Sequence, residues 1–174
     1  KVTNTERVAF FNSGTEAVMV AIRIAKAITN KKYIVFFKGA YHGSFDALLT
    51  LKTNHQTHIA RESIPGITQS ILNESYLFDY GSEESLDFIK KNKDQIAAVL
   101  VEPVQSRNPS FQPIAFLKEL RNITEQNAIA LIFDEIVTGF KPLVINSILS
   151  LFENVVLPEE LGPAIAIKRI LSIS

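Results

Sequence analysis

The chain has no cysteine among its 174 residues, and its formal net charge at pH 7 is +0. The missing cysteine excludes disulfides, thiolate metal sites and a cysteine nucleophile. The balance of 18 basic and 18 acidic side chains argues against nucleic acid or an anionic membrane as a partner, since either needs clustered Lys and Arg. No run approaches the roughly 18 apolar residues of a membrane-spanning helix. We therefore expect neither nucleic acid nor a membrane as a partner.

Signatures of metal sites and hydrolases are scarce as well. His55 and His58 lie three apart in a polar stretch without further His or Cys, so no metal site is expected. No G-x-S-x-G motif occurs, and neither Ser13 nor Ser44 belongs to a legible catalytic triad. The chain begins at Lys1 without a methionine and without a signal segment. We expect a cytoplasmic protein whose sequence starts inside a larger chain.

Apolar runs alternate with helical patterns along the chain, which is 47% hydrophobic. Strands are predicted at residues 8–11, 33–37, 76–80, 96–101 and 129–133. Helices are predicted from residue 15 onward, at 82–91 and at 114–126. This alternation is typical of an α/β fold with a mostly parallel sheet and helices on both faces. Residues 50–74 are polar and hold Pro65 and Gly66, and we expect a surface excursion there.

The turn Ser13-Gly14-Thr15 separates the first predicted strand from the first helix. Backbone N–H groups at a helix start form an anion site, and Gly14 lets a phosphate approach the backbone closely. The pair Ser13 and Glu16 also matches the S-x-x-E capping box, which needs no ligand. Taken alone, the turn leaves both interpretations open.

Polar and aromatic residues follow three further predicted strands. Asp134 ends the run 129–133, and a carboxylate there could hold a proton on a heterocyclic nitrogen or simply cap a loop. Tyr41 and His42 could stack on or bond to a ring, or fill their own loop. Glu102, before Pro103, has the same ambiguity. Since ligands of parallel sheets bind beyond the carboxyl ends of the strands, these residues are candidates for one site.

Four blocks together carry a family resemblance: N-S-G-T-E-A (12–17), G-A-Y-H-G (39–43), V-E-P-V-Q-S (101–106) and L-I-F-D-E-I-V-T-G-F (131–140). In order and spacing they resemble the class-III pyridoxal-phosphate-dependent aminotransferases, a family that includes glutamate-1-semialdehyde aminomutase. The stretch S-R-N-P-S-F-Q-P, followed by F-L-K-E-L-R, looks most like aminotransferase domains of peptide and polyketide synthetases. The resemblance implies part of the large domain of the fold-type-I transferase fold over residues 1–141, followed by a divergent tail at 142–174.

The resemblance also implies pyridoxal 5'-phosphate as cofactor, a small-molecule amino donor and acceptor, and a homodimer. Gly14 and Thr15, together with Ser13, match the family's cup for the cofactor phosphate. An anionic phosphate at a helix start agrees with the local interpretation of this turn.

The remaining family positions match residues around the cofactor ring. Tyr41 matches the aromatic residue stacked on the pyridine ring, and His42 follows it in the same loop. Asp134 matches the aspartate that keeps the pyridine nitrogen protonated, so that the ring accepts electrons from a substrate carbanion. Ile136 matches the apolar residue on the ring's other face. Glu102 matches an acid near cofactor and substrate.

The family's covalent lysine has no match in this sequence. It stands a few tens of residues after the aspartate, before glycines, and forms the Schiff base. Lys141 is too close to Asp134, and Lys168 has no glycines after it. From Pro142 the resemblance ends abruptly, as it does after a frameshift or a gene truncation. We expect a fragment that is inactive alone; the alternatives are a non-catalytic domain that binds a phosphorylated ligand or a partner chain, and a fragment of an aminomutase.

Overall fold

The computed structural model describes residues 9–50, 52–54, 56–61, 64–138 and 166–167. The strands are β1 (Tyr33–Phe37), β2 (Lys52–Thr53), β3 (Ala60–Arg61), β4 (Ser75–Phe78), β5 (Ile96–Val101), β6 (Ala130–Asp134) and β7 (Ala166–Ile167). The α-helices are α1 (Gly14–Thr29), α2 (Gln69–Leu72), α3 (Glu83–Lys91) and α4 (Ile114–Gln126), and a 3-10 turn spans Asp46–Leu48. Five strands form a sheet in the order β4-β1-β5-β6-β7, with every neighbouring pair parallel.

Both faces of this sheet are covered, because alternate side chains of each strand point to opposite sides. Val35 and Phe37 of β1 pack with α3 and α4, whereas Ile34 and Phe36 pack with α1. All six residues of β5 are buried, as expected for a central strand between two helical layers. The predicted parallel α/β sheet is confirmed.

Local signals explain where the helices begin and end. Ser13 and Glu16 form a complete capping box at the start of α1, and Asn30 ends the helix in the left-handed conformation. Ser82 caps α3, where its side chain accepts from the Ser85 N–H. Helix α4 covers the predicted residues 114–126.

The predicted strand at 8–11 is wrong for the part that the structure describes. Residues 9–11 lie outside any strand, and the side chains of Phe10 and Phe11 are 74% and 43% exposed. A run of four apolar residues is too short to show the periodicity of a strand or a helix. It also does not indicate whether a neighbouring strand is available for pairing. In the described part of the chain, these residues form only the approach to the turn before α1.

Residues 50–74 are more ordered than the predicted surface excursion. β2 pairs antiparallel with β3, and α2 follows. Ala60, Ile67 and Leu72 are buried in the layer that also holds α1. Ile59 bridges Tyr76 of β4, so this segment covers an edge strand of the main sheet, which would otherwise present unpaired backbone groups.

The tail predicted as divergent, 142–174, lies outside the described residues except for β7. This strand pairs parallel with β6 and aligns Ile167 with Asp134. Among the described residues, no helix has the length and apolar character that crossing a bilayer requires.

Candidate functional site

The carboxyl ends of β1, β5 and β6 lie at one edge of the sheet because the three strands are parallel neighbours. The predicted site residues Tyr41 and His42 follow β1, Glu102 follows β5, and Asp134 ends β6. The start of α1 reaches the same edge, as its contacts below show. The sequence-based expectation that these segments meet is therefore met by the geometry.

The centre of this edge is a buried pair of side chains, one from the loop after β1 and one from the last residue of β6. His42 Nδ1 lies 2.8 Å from Asp134 Oδ2, and the two residues are only 4% and 3% exposed. The other carboxylate oxygen, Asp134 Oδ1, accepts the N–H of Ile136 at 3.2 Å. The second ring nitrogen of His42, Nε2, is buried without a partner in the described structure.

Close contacts join the start of α1 to the segment after β6 and to the loop after β1. A methyl group on Gly14 would collide with the side-chain tip of Ile136. Gly43 has φ +85°, and a Cβ there would lie 2.8 Å from the Cα of Thr15. The N–H of Ser44 donates to Thr15 Oγ1 at 3.0 Å. Helix start, Tyr41 loop and Asp134 thus form one continuous arrangement.

The Ser13 side chain serves as a helix cap. Its Oγ accepts the Glu16 N–H at 3.2 Å, and Glu16 Oε2 accepts the Ser13 N–H at 3.0 Å. The capping-box interpretation is therefore confirmed for this side chain. The first N–H groups of a helix have no acceptor in a preceding turn, so those of Gly14 and Thr15 can still face an anion, and the phosphate interpretation stays a prediction.

Tyr41 directly precedes His42 in the loop after β1. Its ring is 57% exposed, so the alternative that it fills space under its own loop is wrong. An exposed aromatic ring next to a buried His42–Asp134 pair suits a flat ligand that needs one covering face.

Glu102 is buried, 4% exposed, at the end of β5. Its Oε1 accepts the Ser106 N–H at 2.8 Å, whereas Oε2 is buried and has no partner among the described residues. Burial, followed by the nearby Glu102 charge, raises the pKa of the Tyr80 phenol above its usual range. The Tyr80 hydroxyl donates to the Pro103 carbonyl at 2.9 Å, which fixes the chain beside this carboxylate.

Sequence reasoning missed Gln105 as a site residue. Its side chain is buried, and Nε2 donates to the Lys38 carbonyl at 2.8 Å, at the start of the Tyr41 loop. The available signal was its place in the block V-E-P-V-Q-S, where a polar residue follows a strand end.

The structure also addresses the residues that the sequence set aside. His58 stacks on Phe78, and its Nε2 lies 2.9 Å from Glu84 Oε1. Across the described ranges no group of three or more His, Cys, Asp or Glu could hold a metal ion. His55 lies outside the described residues, as do Lys141 and Lys168, and β7 ends one residue before the latter.

Residues 1–141 match the family described as aminotransferase class-III. The chain belongs to this family. Among curated proteins, it is 45% identical over 139 residues to the glutamate-1-semialdehyde 2,1-aminomutase of Hydrogenobaculum sp. (strain Y04AAS1), covering 78% of this chain and 32% of that protein. The Methanocaldococcus jannaschii protein of the same name is 40% identical over 143 residues, covering 81% and 34%.

Solved transaminase structures have the same fold. An omega-transaminase from Sphaerobacter thermophilus superposes with a TM-score of 0.68 at 34% identity, over 76% of this chain and 32% of that one. A transaminase described with PLP bound also has a TM-score of 0.68, at 30% identity, over 78% and 32%. The predicted family and fold type I are confirmed, and the chain spans about a third of the length of the curated relatives it matches.

Proposed function

We propose that this chain is part of the cofactor-binding domain, residues 1–141, of a pyridoxal-phosphate-dependent aminotransferase. Such an enzyme moves an amino group between an amino acid or amine and a keto acid or aldehyde. The observation that carries the proposal is the buried His42–Asp134 pair at the carboxyl ends of β1 and β6. A carboxylate held at a sheet mouth suits a protonated ring nitrogen.

The described residues fit pyridoxal phosphate on three counts. Asp134 is a buried carboxylate with lone pairs beyond those used by His42 and Ile136. Gly14 has no Cβ at the point where Ile136 and the helix start approach each other. Glu102 Oε2 is a buried acceptor that lacks a partner in the described part of the chain. When bound, the cofactor supplies an electron sink for a substrate carbanion.

Each residue then has a stated task. Asp134 keeps a proton on the pyridine nitrogen, because a buried carboxylate stabilises a neighbouring positive charge. His42 holds the Asp134 carboxylate in position through Nδ1. Tyr41 and Ile136 would supply the aromatic and the aliphatic contacts to the ring. The N–H groups of Gly14 and Thr15, with the Ser13 hydroxyl, receive the phosphate at the positive end of α1.

We further propose that the chain is catalytically crippled when it acts alone. Its sequence holds no lysine in the family's covalent setting, and acid-base groups of this kind contribute about 10²–10⁴-fold to rate. We also propose that the intact enzyme is a cytoplasmic homodimer that uses a small-molecule amino donor and acceptor. In this proposal residues 142–174 form a divergent tail.

An aminomutase is the second candidate, and the curated relatives support it. Both curated relatives described above are glutamate-1-semialdehyde 2,1-aminomutases. A mutase returns the amino group to the same carbon skeleton, whereas a transaminase passes it to a second molecule. Isotope-labelled amino nitrogen in the longer protein distinguishes the two outcomes, because only a transaminase releases it on a different product.

Cofactor binding is tested best with pyridoxamine 5'-phosphate, because it lacks the aldehyde that reacts with any surface lysine. We expect calorimetry on the full 174-residue chain to show one site that prefers this probe to inorganic phosphate. Equal affinity for the two probes contradicts the proposal and favours a general site for phosphorylated ligands.

Covalent attachment is tested separately with pyridoxal phosphate and borohydride. We expect no adduct at a unique lysine. One stoichiometric adduct, mapped by peptide mass spectrometry to Lys168, would show that the chain does carry its covalent lysine.

A further inference from the structure

The loop that carries Tyr41 and His42 is anchored at its first turn by a side chain from another strand end. Gln105, four residues after β5, is 5% exposed. Its Nε2 donates to the Lys38 carbonyl at 2.8 Å across 67 residues of sequence. Lys38 directly follows β1, so this bond ties the loop to the end of the neighbouring strand.

The same amide packs against the next residue of the turn. Gly39 has φ +87°, and a Cβ on it would lie 2.6 Å from Gln105 Oε1. A side chain at position 39 is therefore excluded twice, by the positive φ and by the amide. The Gln105 amide therefore uses its N–H as a hydrogen-bond donor and its oxygen as a contact surface against Gly39.

Two other anchors hold the same loop further along. His42 is bound to Asp134 of β6, and the Ser44 N–H is bound to Thr15 of α1. Neither anchor restrains the turn at Lys38 and Gly39. At this turn the Lys38 N–H is bonded to the Phe78 carbonyl of β4 at 2.8 Å, and Gln105 adds a side-chain restraint on the Lys38 carbonyl and on Gly39.

We propose that Gln105 is a positioning residue that sets the height and direction of the loop 39–43, and thereby of Tyr41 and His42. That this loop contributes to a cofactor site rests on the proposed function, whereas its restraint by Gln105 rests on the contacts described above. Gln105 acts through Lys38 and Gly39 and is not assigned a contact with substrate or cofactor.

The chemistry of the side chain makes the proposal specific. Glutamate has the same shape but no N–H, so it would turn a carboxylate oxygen toward the Lys38 carbonyl. Methionine keeps the length and the burial but removes the donor. Gln105→Glu and Gln105→Met therefore remove the bond in two different ways with little change in volume.

Hydrogen exchange of the full chain, read by mass spectrometry, tests the proposal without any cofactor. In Q105M and Q105E we expect amides in 38–43 to exchange about fivefold faster, the factor that one typical net hydrogen bond gives. Peptides from β1 and α4 should keep their rates. Gln112→Met is the matched control, because Gln112 Nε2 also donates to a backbone carbonyl, that of Pro109, in the same connecting segment.

Two exchange results overturn the proposal. They are equal rates in 38–43 for Q105M and Q112M, and acceleration of β1 and α4 together with the loop.

Binding of pyridoxamine 5'-phosphate adds the functional readout. We expect Q105M to weaken it about fivefold and Q112M to leave it unchanged. A wild-type chain that binds no pyridoxamine phosphate refutes the proposed function, while the exchange rates still decide the role of Gln105. Wild-type binding with unchanged affinity in Q105M refutes the positioning role alone.

Discussion

The parallel strands of the five-stranded sheet begin at one side, called here the amino edge, and end at the other, the carboxyl edge. These two sides use buried polar groups differently. At the amino edge, the Lys31 ammonium donates to the carbonyls of Lys93, Asn127 and Ala128 at 2.9, 2.8 and 3.1 Å. These carbonyls belong to the turns before β5 and β6. Burial lowers the pKa of Lys31, yet its hydrogen-bonding capacity is used entirely within the protein.

Two asparagines show the same self-contained use at this edge. Asn92 Nδ2 donates to the Phe88 carbonyl at 2.9 Å, and Asn127 Nδ2 donates to the Ile123 carbonyl at 2.7 Å. Both bonds reach carbonyls in the last turn of a helix, and the Phe88 carbonyl also accepts the backbone N–H of Asn92 at 3.0 Å. The amino edge therefore uses its polar side chains to close the backbone.

The carboxyl edge leaves charged or ionisable groups incomplete. His42 Nε2 and Glu102 Oε2 are buried without a hydrogen-bond partner among the described residues. At the amino edge, the buried atom without such a partner is the neutral Ser75 hydroxyl oxygen. Buried polar atoms are normally bonded, so such exceptions call for an explanation. A ligand at the carboxyl edge supplies one, and it matches the rule for parallel sheets.

The largest effect on this contrast should come from Asp134→Asn. The variant keeps the shape but removes the charge that faces His42 and the proposed ring nitrogen. Hydrogen bonds to charged groups contribute about 1.5–3 kcal/mol, so we expect affinity for pyridoxamine 5'-phosphate to fall about 10- to 100-fold, as measured by calorimetry.

Asp79→Asn is the control for that experiment. Asp79 also follows a strand at the carboxyl edge, but it forms an exposed pair with Lys38 at 3.0 Å, and surface pairs contribute little. Equal losses in the two variants would mean that the buried pair has no special part in binding.

At the amino edge, Lys31→Met should lower stability and leave cofactor binding unchanged. It keeps the aliphatic stem but leaves three carbonyls without their donor. Because Lys31 is only part-buried, we expect about 1–2 kcal/mol lower free energy of unfolding in urea, with unchanged affinity for pyridoxamine phosphate. Lys93→Met, an exposed neighbour, should leave both quantities unchanged; a binding defect in K31M would blur the division between the edges.

The sequence predicted the regular elements well where packing on both faces makes the apolar run continuous. Residues 96–101 and 114–126 match β5 and α4 residue for residue. The positions of Tyr41, His42, Glu102 and Asp134 at strand ends were also predictable, since parallel strands carry their ligand residues there.

Long-range contacts were not predictable from local patterns. The His42–Asp134 bond spans 92 residues and the Gln105–Lys38 bond spans 67, and no period in the sequence encodes either. The hairpin β2–β3 was missed because two-residue strands are too short to show alternation. Residues 8–11 were assigned to a strand on apolar character alone, without evidence of a partner.

Between the two edges, the core should respond to alkali. Burial, followed by a hydrogen bond with Tyr33, raises the pKa of Tyr76 from 10.0 to about 12. A phenol with a raised folded pKa contributes stability that is complete below pH 10 and is lost as the pH rises toward 12. We expect a loss of about 1 kcal/mol from pH 10 to about pH 11, measured by urea unfolding.

Tyr76→Phe should remove that part of the alkaline loss, because the variant has no phenol to ionise. Tyr41→Phe is the control, since it removes the same hydroxyl from an exposed tyrosine. A Y76F chain that loses stability over this pH interval as fast as the wild type would contradict the assignment.

The smallest effect concerns the two helix caps of the carboxyl edge, Ser13 of α1 and Ser82 of α3. Each side chain accepts a backbone N–H, at 3.2 and 3.3 Å, so Ser→Ala at either position should cost about 0.5–1 kcal/mol in unfolding free energy. Only the Ser13 hydroxyl, whose proton remains free to donate, should also matter for phosphate. We expect S13A to weaken pyridoxamine phosphate binding about threefold, a value within the range of one neutral hydrogen bond, and S82A to leave it unchanged. If S13A loses stability but no affinity, the Ser13 side chain is a cap alone, and the phosphate is held by the backbone of Gly14 and Thr15.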